Sequence, residues 1–186
     1  MIGIDEVGRG CWAGPLLIVA ARALDALPVG LKDSKKLTRA QREKLYTSIT
    51  VACDIGEGWV TAKEIDSIGL SGSMRLGVER ALSAIRAKPH EEIIMDGIVN
   101  YCSNKFINLT CAARADDLYP IVSAASVIAK VKRDRYMAKL KGNYLVYQFA
   151  SHVGYGTKLH HDLLKRYGSS DQHRLSFAPI KKLANI

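Results

Sequence analysis

Near the start of the chain, Asp5 and Glu6 follow an apolar run (Met1, Ile2, Ile4) and lead into Val7-Gly8-Arg9-Gly10. Adjacent carboxylates offer hard oxygen ligands of the kind that suit Mg²⁺ or Mn²⁺. Arg9, set between two glycines that leave the backbone uncovered, brings a planar fork of donors that matches a phosphate. The pattern points to a divalent cation held beside a phosphodiester. By itself it also fits a strand-end turn carrying solvated charges. Successive strand side chains face opposite sides, so Asp5 and Glu6 act together only if the strand ends or bends here, which Gly8 and Gly10 allow.

Further acidic residues recur where elements are expected to end. Asp96 closes the run Ile93-Ile94-Met95, and Asp116-Asp117 precedes a helix opened by Pro120. If those ends share one edge of a sheet, three or four carboxylates meet, and each raises the proton affinity of the others unless cations occupy the cluster. Two divalent ions about 3.5–4 Å apart are the standard physical solution for in-line phosphodiester hydrolysis. Taken singly, Asp96 and Asp116 read more readily as a turn former and a helix N-terminal charge. Their joint recurrence is what favours a site. Histidine offers no competing centre, because His90, His152, His160, His161 and His173 lack a His-Glu-x-x-His spacing. His173 is expected to pack or to hydrogen-bond near the C-terminus. Ser71, in Gly69-Leu70-Ser71-Gly72, does not form a nucleophile elbow.

The elements that must position these groups follow from apolar periodicity. Strands are expected at 1–6, at 15–23, around 51–60, over Glu92–Gly97 and over Phe106–Cys111, each an apolar or β-branched run. Thr38 with Gln41 and Thr61 with Glu64 have capping-box spacing, so helices begin at both places. Met74, Val78, Leu82 and Ile85 recur at helical spacing before the Lys88-Pro89 break. The Pro120 helix opens with small residues (Ser123, Ala124, Ala125, Ser126, Ala129) that permit close packing on a sheet. A last helix follows Thr157 and stops at Gly168.

Composition narrows the class. At 186 residues and 48% hydrophobic, the chain suits one α/β domain with a good core. The early apolar run Leu16–Ala21 is too short to span a bilayer, and the charges at 5, 6 and 9 exclude a signal peptide there. Cys11, Cys53, Cys102 and Cys111 are scattered, which argues against a zinc site or a disulfide framework and for a reducing cytoplasm. Lys and Arg number 27 against 18 Asp and Glu, a formal charge of +9 that favours a polyanionic partner. The cations cluster at Lys32–Lys44 and Lys130–Lys141, where the default reading is a solvated helix face.

The segments Gly3-Ile4-Asp5-Glu6-Val7-Gly8-Arg9-Gly10, Asp33-Ser34-Lys35-Lys36-Leu37, Met95-Asp96-Gly97, Ala124–Val131 with Arg133-Asp134, and His173-Arg174-Leu175-Ser176-Phe177 closely resemble ribonuclease HII, in order, from residue 3 to about residue 179. The resemblance implies an α/β RNase H-like fold, a central mixed β-sheet flanked by helices, forming one catalytic domain over 1–186 with a C-terminal helical segment from about 141. It implies metal-dependent cleavage of RNA in RNA/DNA hybrids and on the 5′ side of ribonucleotides embedded in duplex DNA, leaving 3′-hydroxyl and 5′-phosphate ends, as in ribonucleotide excision repair and DNA replication. Asp5, Glu6, Asp96 and Asp116 would be the catalytic, metal-binding set for two Mg²⁺ or Mn²⁺ ions, with no organic cofactor. Gly8, Arg9 and Gly10 would contact the backbone around the 2′-hydroxyl, the group that separates RNA from DNA. Tyr155 would pack against the sugar at the RNA–DNA junction, and Lys35, Lys36 and Lys130 would contact phosphates.

A monomer is expected, with no membrane association. Neither a tail for binding a sliding clamp nor the extra N-terminal domain of ribonuclease HIII is expected. Asp117 leaves the fourth acidic position dependent on alignment, and Cys11-Trp12 is bulkier than the family pattern beside its glycine turn. Two alternatives stand beside this reading. A non-catalytic nucleic-acid-binding module would gain nothing from a negative pocket, and a related DNA nuclease or resolvase should lack the Gly-Arg-Gly and tyrosine pair.

Overall fold

The computed structural model describes residues 1–184. Its centre is a five-stranded sheet in the order β3-β2-β1-β4-β5. β1 (Ile2–Val7), β2 (Leu16–Ala23) and β3 (Cys53–Val60) form an antiparallel meander, while β4 (Ile93–Asp96) and β5 (Leu109–Ala112) add parallel to β1. β2 is apolar without interruption because both its faces are covered. Leu16, Ile18 and Ala20 join Ile2, Ile4, Ile93 and Met95 under α2 (Ala62–Ala84). Leu17, Val19 and Ala21 join Ile94 under α4 (Pro120–Lys139), with Ile49 and Ala52 of α1 (Arg39–Ala52) closing that layer.

Both expected capping boxes form. Thr38 Oγ1 accepts from Gln41 N–H and Thr61 Oγ1 from Glu64 N–H, with each N3 side chain returning to the cap backbone. The two helical signals at 61 and 74–85 prove to be one run, turned at Gly69 (φ 70°), a backbone angle that glycine adopts without strain. α1 continues to Ala52, so β3 starts at Cys53 and not at 51. The expected strand over 106–111 shifts to 109–112. Phe106 instead closes a turn onto the Ser103 carbonyl and buries its ring in the core, while Ile93 N–H reaches the Asn108 carbonyl.

The C-terminal part is helical, as expected, but broken into short pieces: 3₁₀ turns at Leu140–Gly142 and Leu145–Tyr147, then α5 (Phe149–His152), α6 (Lys158–Tyr167) and α7 (Ala178–Ala184). All four cysteines are free. No described helix is long and apolar enough to cross a membrane.

Close helix–sheet approach depends on missing side chains. A Cβ on Gly3 would lie 2.5 Å from the Ile121 carbonyl carbon, and one on Gly58 would lie 1.8 Å from the Gly77 carbonyl oxygen. The neighbours are backbone, which cannot rotate aside. Gly58→Ala should therefore cost about 1–3 kcal/mol by forcing α2 off the sheet. Gly142, where a Cβ meets nothing within 4 Å, serves as the control in urea denaturation. Equal effects at the two positions would show that α2 yields freely.

Candidate active site

Parallel pairing brings the acidic residues together. Ile2, Gly3 and Ile4 of β1 pair with Ile93, Ile94 and Met95 of β4, so one further step sets Asp5 beside Asp96. Residues in register on parallel strands share a face. That is the α4 face, where Gly3 meets α4 and Ile94 packs in the same layer. β1 does not end at Glu6 but runs on through Val7, and its next residue, Gly8, takes a positive φ of 86°. Beyond β5, Arg114 adopts a left-handed conformation (φ 59°) and starts a single helical turn, α3 (Ala115–Leu118). Asp116 and Asp117 thus lie in a short helix of their own. The Ala115 N–H donates to Asp96 Oδ1 at 2.7 Å, fixing α3 against the end of β4.

The adjacent aspartates differ in surroundings. Asp117 is ion-paired with Lys36 and Arg114, which hold its carboxyl below the usual range. Asp116 is buried, and desolvation, then repulsion from Asp33 and Asp96, pushes its proton affinity up. Asp5 is raised well above the ordinary carboxylate value, mostly by burial and then by Glu6, partly opposed by Ser126, with Asp96 adding a smaller rise. Glu6 is also raised, first by burial, with Arg9 acting in the other direction at 3.6 Å. Among the described residues, Asp5, Asp96 and Asp116 have no ion-pair partner.

Such an all-oxygen set matches the preference of Mg²⁺ and Mn²⁺. No three described His, Cys, Asp or Glu side chains already stand as a metal-binding group.

Beside this cluster is a cleft of about 500 Å³ lined by Asp5, Glu6, Arg9, Lys35, Lys130 and Tyr155, with Gly8 and Gly10 in its floor. Asp96 lines an adjoining hollow that shares Glu6 and Arg9. A 3₁₀ turn at Ser34–Lys36 presents Lys35. Asp33 caps that turn, and the Ser126 hydroxyl, donating to Ser34 Oγ at 2.9 Å, ties it to α4. Lys36 is directed instead to Asp117 and does not line the cleft.

The two glycines of the Gly-Arg-Gly turn differ in kind. A Cβ on Gly8 would strike the Arg133 guanidinium at 2.2 Å, so packing alone demands glycine there. Gly10 has open space on that side and a backbone angle any residue can adopt. Neither packing nor backbone angle requires glycine at position 10.

The 154–156 turn bearing Tyr155 packs on the 12–13 segment. Trp12 N–H donates to the Gly154 carbonyl at 2.8 Å, and Cβ atoms on Gly154 and Gly156 would strike the Ala13 carbonyl oxygen and the Trp12 ring, each at 2.2 Å. Cys11 and Trp12 therefore pack inward against this turn and leave the cleft open.

Several functional neighbours were not legible in the sequence. Arg133, counted there in a solvated basic run, is fully buried, as is Arg174. In that same run Lys130, Lys132 and Arg135 are ion-paired with Asp134, Glu57 and Glu43, so much of the apparent free charge is neutralised locally. Ser34 and Ser126 could have been suspected only from their polarity at otherwise apolar, small-residue positions.

The chain is similar to known proteins along nearly its whole length. The family model for ribonuclease HII matches residues 2–180. A ribonuclease HII of Campylobacter concisus (strain 13826) is 44% identical over 183 residues, covering 98% of this chain and 95% of that protein. The crystal structure of ribonuclease H2 from Pyrococcus horikoshii OT3 superposes with a TM-score of 0.76 at 30% identity, covering 99% of this chain and 96% of that one. Bst-RNase HIII in complex with Mn²⁺ shares the fold at a TM-score of 0.71 and 21% identity, over 99% of this chain and 68% of that one. A family match of this span carries a class of chemistry, the hydrolysis of nucleic acid by a type II ribonuclease H, and the chain belongs to the ribonuclease HII family.

Proposed function

We propose that the protein is a divalent-metal-dependent endonuclease that cleaves RNA within RNA/DNA hybrids and on the 5′ side of ribonucleotides embedded in duplex DNA, leaving a 3′-hydroxyl and a 5′-phosphate. One observation carries the metal site: Asp5 is enclosed, repelled by Glu6 and Asp96, and given no protein cation within 4.0 Å. A buried carboxylate held in that way is unstable alone and suited to a cation. Asp5, Glu6, Asp96 and Asp116 would hold Mg²⁺ or Mn²⁺. Bound there, the ions would polarise the phosphoryl oxygens and make water nucleophilic at neutral pH.

The chain's own residues do the rest. Glu6 N–H donates to Asp5 Oδ1 at 2.7 Å and fixes the carboxylate plane. Arg9 and Lys35, on the cleft wall, offset phosphate charge, and Lys130 stands 6.0 Å from the centre of the Tyr155 ring, where a phosphate and its sugar would lie together. Gly10 admits the ribose edge, at which the 2′-hydroxyl distinguishes RNA. Tyr155 packs its ring on the sugar at the junction.

Asp5→Asn should lower cleavage of a duplex containing one ribonucleotide by about a hundredfold or more, the scale of losing a buried electrostatic stabiliser, while duplex binding persists. The same change should stabilise the metal-free protein at neutral pH. A carboxyl whose folded proton affinity is raised destabilises the fold progressively as pH rises above its unfolded value, and the penalty is complete above its folded value. Each kcal/mol relieved should raise Tm by about 2–4 °C in a chain of this size. Near-normal turnover by a folded, more stable Asp5→Asn protein would sink the proposal.

Asp116→Asn should abolish most activity, whereas Asp117→Asn should be mild, since it removes only an exposed ion-pair partner. The reverse order, read as single-turnover rates, would transfer the role to Asp117. Lys35→Ala should flatten the plot of log K against log salt by about 0.9, one phosphate contact. An unaltered slope would remove Lys35 from the interface.

A further inference from the structure

Two buried histidines that the cleavage reaction leaves unused lie behind Tyr155. His160 and His173 meet through their Nε2 atoms at 3.1 Å. Two ring nitrogens share a hydrogen bond only if one bears a proton and the other a lone pair. The partners on the far sides of the rings decide which. Ser170 N–H donates to His173 Nδ1 at 2.8 Å, so in a neutral ring the proton of His173 sits on Nε2. His160 Nδ1 is 2.9 Å from the carbonyl oxygen of Tyr155, which only accepts, so the proton of His160 sits on Nδ1. The assignments agree at the shared bond: His173 Nε2–H donates to His160 Nε2, and His160 Nδ1–H donates to the Tyr155 carbonyl. Burial lowers the proton affinity of both rings to about 4, keeping them neutral at ordinary pH.

This chain of bonds ends on the Tyr155 carbonyl, in a turn also held by Tyr155 N–H donating to the His152 carbonyl at 2.9 Å and by packing on the 12–13 segment. Residues 153–157 belong to no helix or strand, and Val153 stands at φ 43°, a strained conformation for a β-branched residue. His152 braces the same turn, its Nδ1 accepting from Gly154 N–H and its ring stacked on His160 at 4.2 Å. Besides His160, among the described residues the local Thr157 N–H alone donates to the Tyr155 carbonyl.

We propose that His160 and His173 are positioning residues: their fixed tautomer chain aims the Tyr155 peptide, and through it the exposed ring, so that they set the preference for a single embedded ribonucleotide over a continuous hybrid. This rests on the junction role given to Tyr155 above.

Two substitutions at residue 160 separate positioning from packing. An asparagine amide sits where Nδ1 was and can still donate to Tyr155, whereas a glutamine amide reaches the Nε2 position and cannot. The ratio of cleavage rates on a single-ribonucleotide duplex and on a continuous hybrid is measured for wild type, Tyr155→Ala, His160→Gln and His160→Asn. Tyr155→Ala should lower the ratio. His160→Gln should lower it by about fivefold, the rate equivalent of one net hydrogen bond, and His160→Asn should restore it. A lowered ratio in Tyr155→Ala with an unchanged one in His160→Gln overturns the positioning role and leaves the junction role intact. Equal losses in the two His160 variants mark packing and also overturn it. An unchanged ratio in Tyr155→Ala overturns the junction role itself. The ¹⁵N shifts of the wild-type rings give a reading that no misfolded variant can obscure: Nδ1–H on His160 with Nε2–H on His173 supports the proposal, and the opposite tautomers refute it.

Discussion

Two guanidinium groups with no carboxylate partner among the described residues hold the cleft in shape. Arg133 donates to the carbonyls of Pro15, Val153 and Ala13, and Arg174 to those of Gly14 and Arg9. These acceptors lie in segments without long regular elements, the loop after β1 and the turn before Tyr155. Arginine suits the task because its planar fork satisfies several carbonyls from one point, which a lysine ammonium on a flexible stem does not. Through these bonds Arg9 and Tyr155, distant in sequence, come to line one cleft. Deleting either guanidinium would leave several buried carbonyls without donors, a cost of about 1–3 kcal/mol for each group stranded.

Against that background the state of Asp5 is informative. The chain places buried cations and buried carboxylates in one neighbourhood and does not neutralise one with the other. A protein shaped only for stability would pair them or replace both with apolar groups. Here the arginines are satisfied by dipoles, and Asp5, Asp96 and Asp116 have no ion-pair partner among the described residues. The strained Val153 belongs to the same pattern, since it lies beside Tyr155 with its carbonyl gripped by Arg133. Strain and unopposed charge concentrated at one cleft mark a region shaped for binding.

Much of this was legible from sequence where a local physical rule governs. Alternation and unbroken apolar runs located β1, β2 and β4. The pairs Thr38–Gln41 and Thr61–Glu64 located two helix starts, because a capping box is a contact between near neighbours. The acidic clustering was legible as a possibility, since Asp5 lies near the end of β1, Asp96 closes β4 and Asp116 follows β5. What escaped depends on tertiary placement. Arg133 is indistinguishable by type from its solvated neighbours Lys132 and Arg135, and only the fold of loop 8–15 over α4 buries it. The separation of Asp116 from Asp117 required the position of Lys36, some eighty residues away. His160 and His173 lacked any ligand spacing, and their relation is a hydrogen bond between a helix and a loop that no sequence interval announces. β5 drifted by a few residues because an edge strand with polar positions carries a weak alternation signal.

The basic runs hold fewer free cations than their sequence suggests, since Lys36, Lys130, Lys132 and Arg135 are engaged by carboxylates. Specific recognition then depends on the few cations facing the cleft and on what neutralises the acidic cluster beside them. Thermal melting at fixed ionic strength across a Mn²⁺ or Mg²⁺ titration tests that neutralisation directly. If Asp5, Glu6, Asp96 and Asp116 form the cation site, the wild-type protein should gain about 1.4 kcal/mol per bound ion for each tenfold rise in free metal beyond saturation, and substitution of Asp5 should abolish most of that gain. Melting curves that ignore the metal, or that shift equally with and without the Asp5 carboxylate, would contradict it.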